Sequence, residues 1–342
     1  MNHVIIFAPN WLGDAVMALP AIADVRRASP DAAIAVAARR SVAPFFEMVP
    51  EVDEVITIEG GARPLLFRLR GDREARGHTP NPRFDTAILL PNSFRAALIA
   101  LRAGIPERWG YRSDFRGPLL TRAVDRAPAG THQIDSYQRL VQALGFPQVP
   151  AEPRLEAPAD AKAAAACLLA DAGWDRRTPI AVLAPGAAYG VSKRWPPASF
   201  AALARAMVGD GLWPVMVGGT ADIPTGRDIE TALDGCNTVL NLIGRTDLST
   251  LAGVLAGARV LVSNDSGPMH LGAALGVPVT ALFGPTDERL VGPRSARGSR
   301  PSVVLTHQVW CRPCWLRECP LDHGCMRGIR VDEVFEAARR MV

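Results

Sequence analysis

Residues Val260–Pro278 read VLVSNDSGPMHLGAALGVP, and this stretch limits the fold more than any other in the chain. The apolar run Val260–Val262 stops at Ser263-Asn264-Asp265-Ser266-Gly267, after which small residues recur in a helical pattern. Strand, tight turn and helix start make up the repeating half of a βαβ unit. In an α/β protein such a turn places backbone N–H groups and the positive end of a helix dipole at the carboxyl edge of a sheet, where anions bind. Asp265 would repel a phosphate, so it requires a different neighbour, such as the hydroxyls of a sugar. The turn therefore suits a ligand that is part phosphate and part polyol.

The same alternation runs along the chain in two series. In the first, strands are expected at residues 4–8, 33–37, 55–58 and 86–90, and helices at 15–27, 43–49, 94–103 and 133–144. The Arg/Gly/Pro-rich span 60–83 reads as an insertion loop. Residues 147–158 (PQVPAEPRLEAP) are proline-rich and turn-like, and form the expected linker. After an alanine-rich helix at 159–172, the second series follows. Its expected strands are 180–184, 214–217, 238–240, 259–262 and 277–283, and its helices 199–208, 223–233, 248–255 and 269–275. Two such series predict an α/β chain of two Rossmann-like parallel-sheet domains, 1–155 and 156–342, facing across a cleft. The closing helix 331–341 could pack on either domain. A length of 342 residues with 48% hydrophobic content suits two packed cores.

Composition excludes several classes. No window holds 18 uninterrupted apolar residues, so no transmembrane helix is expected. The start, MNHVIIFAPNWLGD, lacks a basic region and a cleavage site and reads as a buried strand instead of a signal peptide, which makes the cytoplasm the default compartment. Net charge is +4, but residues 60–126 hold thirteen arginines against six acids. That excess suits an anionic partner, or is a solvated face in an arginine-biased sequence. Nucleic acid is disfavoured, because the segment has few aromatics to stack bases and no recognisable nucleic-acid motif. Only two lysines occur, Lys162 and Lys193, so a lysine kept in a loop invites a functional reading.

Four further constellations carry chemistry. Asn10-Trp11-Leu12-Gly13-Asp14 follows the first strand; Gly13 permits a tight turn, and Asp14 is either a helix N-cap or a general base toward a hydroxyl. Ala184–Pro196 (APGAAYGVSKRWP) pairs two glycines with Lys193-Arg194, a point charge beside a guanidinium fork for a diphosphate. Gly218–Asp222 (GGTAD) follows another strand, where an acid can cap a helix or bind ribose hydroxyls. His270, in the first turn after Ser266, can donate to a bound phosphate, though a lone histidine is more often structural. Phe283-Gly284-Pro285-Thr286-Asp287 would line the same edge. Near the end, Cys311-x2-Cys314-x4-Cys319-x5-Cys325 is either a structural zinc knuckle or a packed loop of reduced cysteines; the spacing is not a well-defined zinc pattern. No G-x-G-x-x-G follows the first strand, which argues against a nicotinamide-dependent oxidoreductase.

Taken together, NWLGDAVMALPAI, APGAAYGVSKRWP, GGTAD and VSNDSGPMHLGAALGVPVTALFGPTD resemble the ADP-heptose:lipopolysaccharide heptosyltransferases, glycosyltransferase family 9. CRPCWLRECPLDHGCM is most similar to their heptosyltransferase II branch. The resemblance spans nearly the whole chain. It implies a GT-B architecture and an inverting transfer that uses no metal ion or other cofactor. On this resemblance Asp14 is the catalytic base, Lys193 contacts the donor diphosphate, and Asp265, Ser266, Gly267 and His270 hold the sugar and phosphates. Gly13 and Ser192 join the donor-binding set, and Thr246 and Asp222 match more loosely as residues near the nucleotide and ribose. The chain departs from the family pattern at Ala188 and Tyr189, where relatives carry two hydroxyl residues; phosphate contacts from that loop then fall to backbone N–H groups or Ser192. The implied partners are ADP-heptose and an anionic lipopolysaccharide-core acceptor, heptosyl-Kdo2-lipid A, met by peripheral contact at the inner face of the inner membrane. A transferase of the heptosyltransferase I or III type, or a non-catalytic nucleotide-sugar-binding protein, is the alternative.

Overall fold

A computed structural model describes residues 1–59, 62–70, 83–149, 151–236, 238–295 and 302–342. The chain divides into two compact units, Met1–Ala151 and Glu152–Val342. The first unit is built on β1 (His3–Phe7), β2 (Ala33–Arg39), β3 (Glu54–Ile58), β4 (Thr86–Leu89), β5 (Glu107–Tyr111) and β6 (Arg122–Val124). All pairings are parallel, in the order β3-β2-β1-β4-β5-β6. The central strands are buried on both faces, as a parallel sheet covered by helices requires, and read as unbroken apolar runs such as VIIF. Ile5, Phe7, Ile56, Leu65, Leu89 and Ile99 centre one core of this unit.

Three local expectations change in this unit. The helix expected at 15–27 is two helices, Leu12–Met17 and Leu19–Ala28, with Ala18 between them and Pro20 in the first turn of the second, where a missing N–H does no harm. Inside the span read as a loop, Ala62–Arg70 is helical, and Leu65 and Leu69 are buried four residues apart on one face; residues 60, 61 and 71–82 lie outside the described set. The arginine excess is partly internal. Arg116 is wholly buried, donating from Nε to the Tyr111 carbonyl (2.9 Å) and from Nη1 to that of Pro91, and burial lowers its pKa to about 10. Arg108 ties down the carbonyls of Ile105, Pro106 and Leu119.

The second unit repeats the plan with β7 (Ile180–Ala184), β8 (Trp213–Met216), β9 (Leu240–Asn241), β10 (Ala258–Asn264), β11 (Val279–Phe283) and β12 (Val303–Thr306). The order is β12-β11-β10-β7-β8-β9, again all parallel. The closing helix, Val331–Arg339, packs in this unit, where Val334 and Ala338 join its core with Trp195, Phe200 and Met326. Each sheet reverses its strand order once, between β1 and β4 and between β7 and β10. At such switch points the loops leaving neighbouring strands diverge and open a crevice at the carboxyl edge, the usual ligand site of a doubly wound sheet.

Candidate active site

Both switch points carry the residues singled out in the sequence. In the first unit the loop after β1 leads straight into Leu12–Met17, whose N-cap residue is Trp11 and not Asp14. Asp14 is the third residue of that helix, half-buried, and its charge reaches the buried phenol of Tyr137 on Gln133–Ala143. Burial first, and then the Asp14 charge, hold that phenol well above its usual pKa, so Tyr137 stays neutral beside the carboxylate. Gly13 precedes Asp14 in the same turn. Trp11 is nearly half exposed.

In the second unit, Lys193 follows β7 and Asp265 follows β10, so the two stand on either side of the switch point. Lys193 Nζ lies 2.5 Å from Asp265 Oδ2, and both side chains are 10% exposed or less. Thr286, wholly buried in the loop after β11, donates its hydroxyl to the same carboxylate oxygen at 2.6 Å. The Asp265 carboxylate thus has a local cation and a local donor, which answers its apparent conflict with an anion site. Next to it Asn264 is buried and locks two loops together: its amide donates to the Pro185 carbonyl (2.7 Å) and its oxygen accepts from the Trp195 N–H (3.2 Å). Trp195 in turn fills the core, edge to face with Phe200, and bonds the Ile329 carbonyl. Lys193 is therefore fixed two residues from a buried plug.

The helix Gly267–Ala274 begins here. Ser266 is its N-cap residue in extended conformation, yet its side chain caps no backbone N–H and lies instead 3.2 Å from the Ser263 hydroxyl. With Pro268 in the first turn, the helix start is left for an outside acceptor, which the dipole favours if it is anionic. His270 is buried one turn in.

Asp222 sits on a third loop, after β8. It accepts from the Gly219 N–H (3.1 Å) and pairs with Arg194 (3.2 Å), whose guanidinium also donates to Thr225. A Cβ at Gly186 would lie 2.2 Å from an Asp222 oxygen, so this glycine is what lets the carboxylate approach the Lys193 loop. Thr246, half-buried, immediately precedes Asp247, whose side chain caps the helix Leu248–Ala256.

Ser192 is buried, and both of its donors go to the cysteine-containing loop, the N–H to the Arg317 carbonyl (3.1 Å) and the hydroxyl to that of Leu316 (2.5 Å). The Tyr189 hydroxyl donates to the Trp315 carbonyl at 2.6 Å. On its other side the same loop donates from Cys314 and Trp315 to the Pro285 carbonyl and from Arg312 to those of Gly284 and Thr286. The loop is thus a strap binding the Lys193 segment to the Thr286 segment. Among the described residues no group of three or more His, Cys, Asp or Glu side chains is disposed to hold a metal ion. Thr286, Asn264 and Tyr189 carry this geometry; each was named within a sequence motif, but none was given a binding role there. Their signal was position, next to residues that had one.

Two parallel, doubly wound sheets in one chain, the second with an uncapped helix start beside a lysine at its switch point, are the architecture of a GT-B glycosyltransferase. Residues 80–324 match glycosyltransferase family 9 (heptosyltransferase), and the chain belongs to that family. It is 32% identical over 304 residues to lipopolysaccharide heptosyltransferase 2 of Salmonella typhimurium, covering 85% of each chain. It is 33% identical over 310 residues to lipooligosaccharide heptosyltransferase 2 of Haemophilus ducreyi, covering 85% of this chain and 86% of that one. Among solved structures it superposes on the ADP-heptose lipopolysaccharide heptosyltransferase II of E. coli with a TM-score of 0.82 and 29% identity, covering 100% of this chain and 98% of that one.

Proposed function

We propose that the chain moves L-glycero-D-manno-heptose from ADP-heptose to the first heptose of heptosyl-Kdo2-lipid A, inverting the anomeric centre, with Asp14 as general base. The observation that carries this reading is the Lys193–Asp265–Thr286 cluster at the second switch point, beside a helix start that its own N-cap side chain leaves uncapped. The diphosphate fits at Ser266 and Gly267 with Lys193 and His270 near it, the heptose hydroxyls at Asp265, and the ribose and nucleotide toward Asp222 and Thr246. Gly13 and Ser192 shape the surrounding loops.

The acceptor hydroxyl gives its proton to Asp14 as its oxygen bonds to the anomeric carbon. The bond from that carbon to the β-phosphate oxygen breaks with its electron pair, and ADP leaves. Positive groups fixed at the diphosphate stabilise the charge that grows there. No metal or other cofactor is needed for this step. The acceptor carries a lipid, so the reaction takes place at the cytoplasmic face of the inner membrane by peripheral contact; among the described residues no helix is long and apolar enough to cross a membrane.

Asp14→Ala tests the base. Retained ADP-heptose binding with transfer lowered by on the order of a hundredfold or more supports the role; unchanged turnover sinks it. A panel of truncated lipopolysaccharide acceptors, assayed with ADP-heptose, tests the acceptor. Product from acceptors lacking the first heptose would replace this reading with one of heptosyltransferase I type.

A further inference from the structure

We propose that Arg317, on the cysteine-containing loop, is a second anion-binding residue of the donor site, held beside Lys193 by the ring of Tyr189. This deepens the proposed function and rests on its reading of the donor as a nucleoside diphosphate sugar.

The charges around the second switch point lead to it. Lys193 is neutralised by Asp265, Arg194 faces Asp222, and Arg312 faces Glu288 at 2.5 Å. A multiply charged diphosphate entering here would meet pairs that are already satisfied. Arg317 is different. It is exposed, and among the described residues no carboxylate is paired with it. Its Cζ lies 5.2 Å from the centroid of the Tyr189 ring, and Lys193 Nζ lies 4.7 Å from the same centroid. The two cations are therefore no farther apart than those two distances together, a gap that the oxygens of a diphosphate can bridge.

The backbone fixes this arrangement more firmly than a surface arginine would allow. The Arg317 carbonyl accepts the Ser192 N–H, and the carbonyls of Leu316 and Trp315 accept the hydroxyls of Ser192 and Tyr189. A Cβ on Gly190 would lie 2.3 Å from the Arg317 carbonyl oxygen, so the strands of chain touch there with no side chain between them. The Arg317 Cα is thus set relative to Lys193, while its side chain remains able to turn from the ring to a ligand. A guanidinium offers two parallel N–H donors to phosphate oxygens, and its contact with a partly exposed ring is weak enough to be exchanged for them. The aromatic residue at position 189 then acts as a platform that brings in a cation from another loop.

Calorimetric titration with ADP and with AMP tests this. Arg317→Gln should weaken ADP binding by roughly ten- to a hundredfold while changing AMP binding much less, because the lost contact is to the second phosphate. Tyr189→Leu should weaken ADP in the same way with Arg317 intact, and Tyr189→Phe, which keeps the ring and loses only the bond to the Trp315 carbonyl, should weaken it much less. ADP affinity unchanged in Arg317→Gln overturns the proposal, as does an equal loss for ADP and AMP, which would mark a general disturbance of the loop. Tyr189→Phe losing as much as Tyr189→Leu overturns the platform. If the unsubstituted protein binds neither ADP nor ADP-heptose, the donor reading itself fails; if it binds both and Arg317→Gln is silent, only this inference does.

Discussion

Lys193 and Asp265, 72 residues apart in sequence, form a buried ion pair of 2.5 Å across the point where the second sheet reverses its strand order. One residue follows β7 and the other β10, and Thr286, after β11, closes the cluster on the same oxygen. Three loops at the carboxyl edge of the sheet, one from one side of the switch point and two from the other, are thus tied together. The pair fixes the position of the lysine and neutralises the carboxylate beside the helix start at Gly267.

Breaking the pair should cost more than removing it. Lys193→Met or Asp265→Leu alone leaves an uncompensated buried charge, and each should lower unfolding stability by about 3–5 kcal/mol. The double substitution should recover a large part of that loss, since two apolar groups need no partner. Thr286→Val removes one hydrogen bond to a carboxylate and should cost about 1.5–3 kcal/mol. Urea unfolding of the three variants and the double variant checks this; strictly additive losses would show that the pair is not coupled in the folded protein.

The glycines give a sharper contrast. Gly190→Ala would push a methyl against the Arg317 backbone, which cannot swing aside, so it should detach the strap and weaken both stability and ADP binding. Gly186→Ala meets the tip of Asp222 instead, which can turn away only by leaving Arg194 and the Gly219 N–H. Gly209, at the end of the helix Pro197–Gly209, has nothing within 4 Å of a built Cβ, and Gly209→Ala should be neutral or stabilise by a few tenths of a kcal/mol. Thermal melts of the three, with ADP titration for the first two, would rank them; Gly190→Ala behaving like Gly209→Ala would rule out the strap.

The alternation of strand and helix was plain in the sequence because central parallel strands are buried on both faces and stand out as apolar runs. β5 (ERWGY) and β6 (RAV) were missed for the opposite reason: they lie toward the outer end of the sheet, and their charged residues are satisfied at its margin, Arg122 over the Trp109 ring and Glu107 on the Trp109 and Thr121 donors. The helix at Ala62–Arg70 was hidden by flanking Gly, Arg and Pro, although Leu65 and Leu69 carry its spacing. At the candidate site the residue types were legible and the pairing was not. Anion-site logic sends a lysine to phosphate and an aspartate to sugar; burial of both, visible only in three dimensions, sends them to each other.

Acid should loosen the first unit through two carboxylates. The Ile34 N–H, and with it the Arg26 guanidinium, holds Asp53 below the usual carboxylate value against partial burial. Burial pushes Asp85 up, but the Thr86 hydroxyl and the N–H groups of His3 and Asn2 together outweigh it, so Asp85 is also lowered. A folded pKa below the unfolded one contributes stability that is fully present above the unfolded value and is lost as pH falls through the folded one. Melting temperature should therefore fall between about pH 5 and about pH 2, and Asp53→Asn with Asp85→Asn should flatten that fall. Identical pH profiles for the double variant and the unsubstituted protein would refute the assignment.

The cysteines should differ in reactivity by place. Cys325 is buried in the strap's base, and burial first, then the neighbouring Cys311, Cys314 and Cys319, push its thiol up. The thiolate is the nucleophile, so both effects slow its alkylation. Cys167, on the helix Ala159–Asp171, is exposed. Iodoacetamide at neutral pH, followed by peptide mass analysis, should label Cys167 early and Cys325 last in the folded protein, and the two at similar rates once it is unfolded. Early labelling of Cys325 without loss of ADP binding would mean that the base of the strap opens while the donor site stays formed, contrary to the packing of Cys325 and Met326 beneath Gly284.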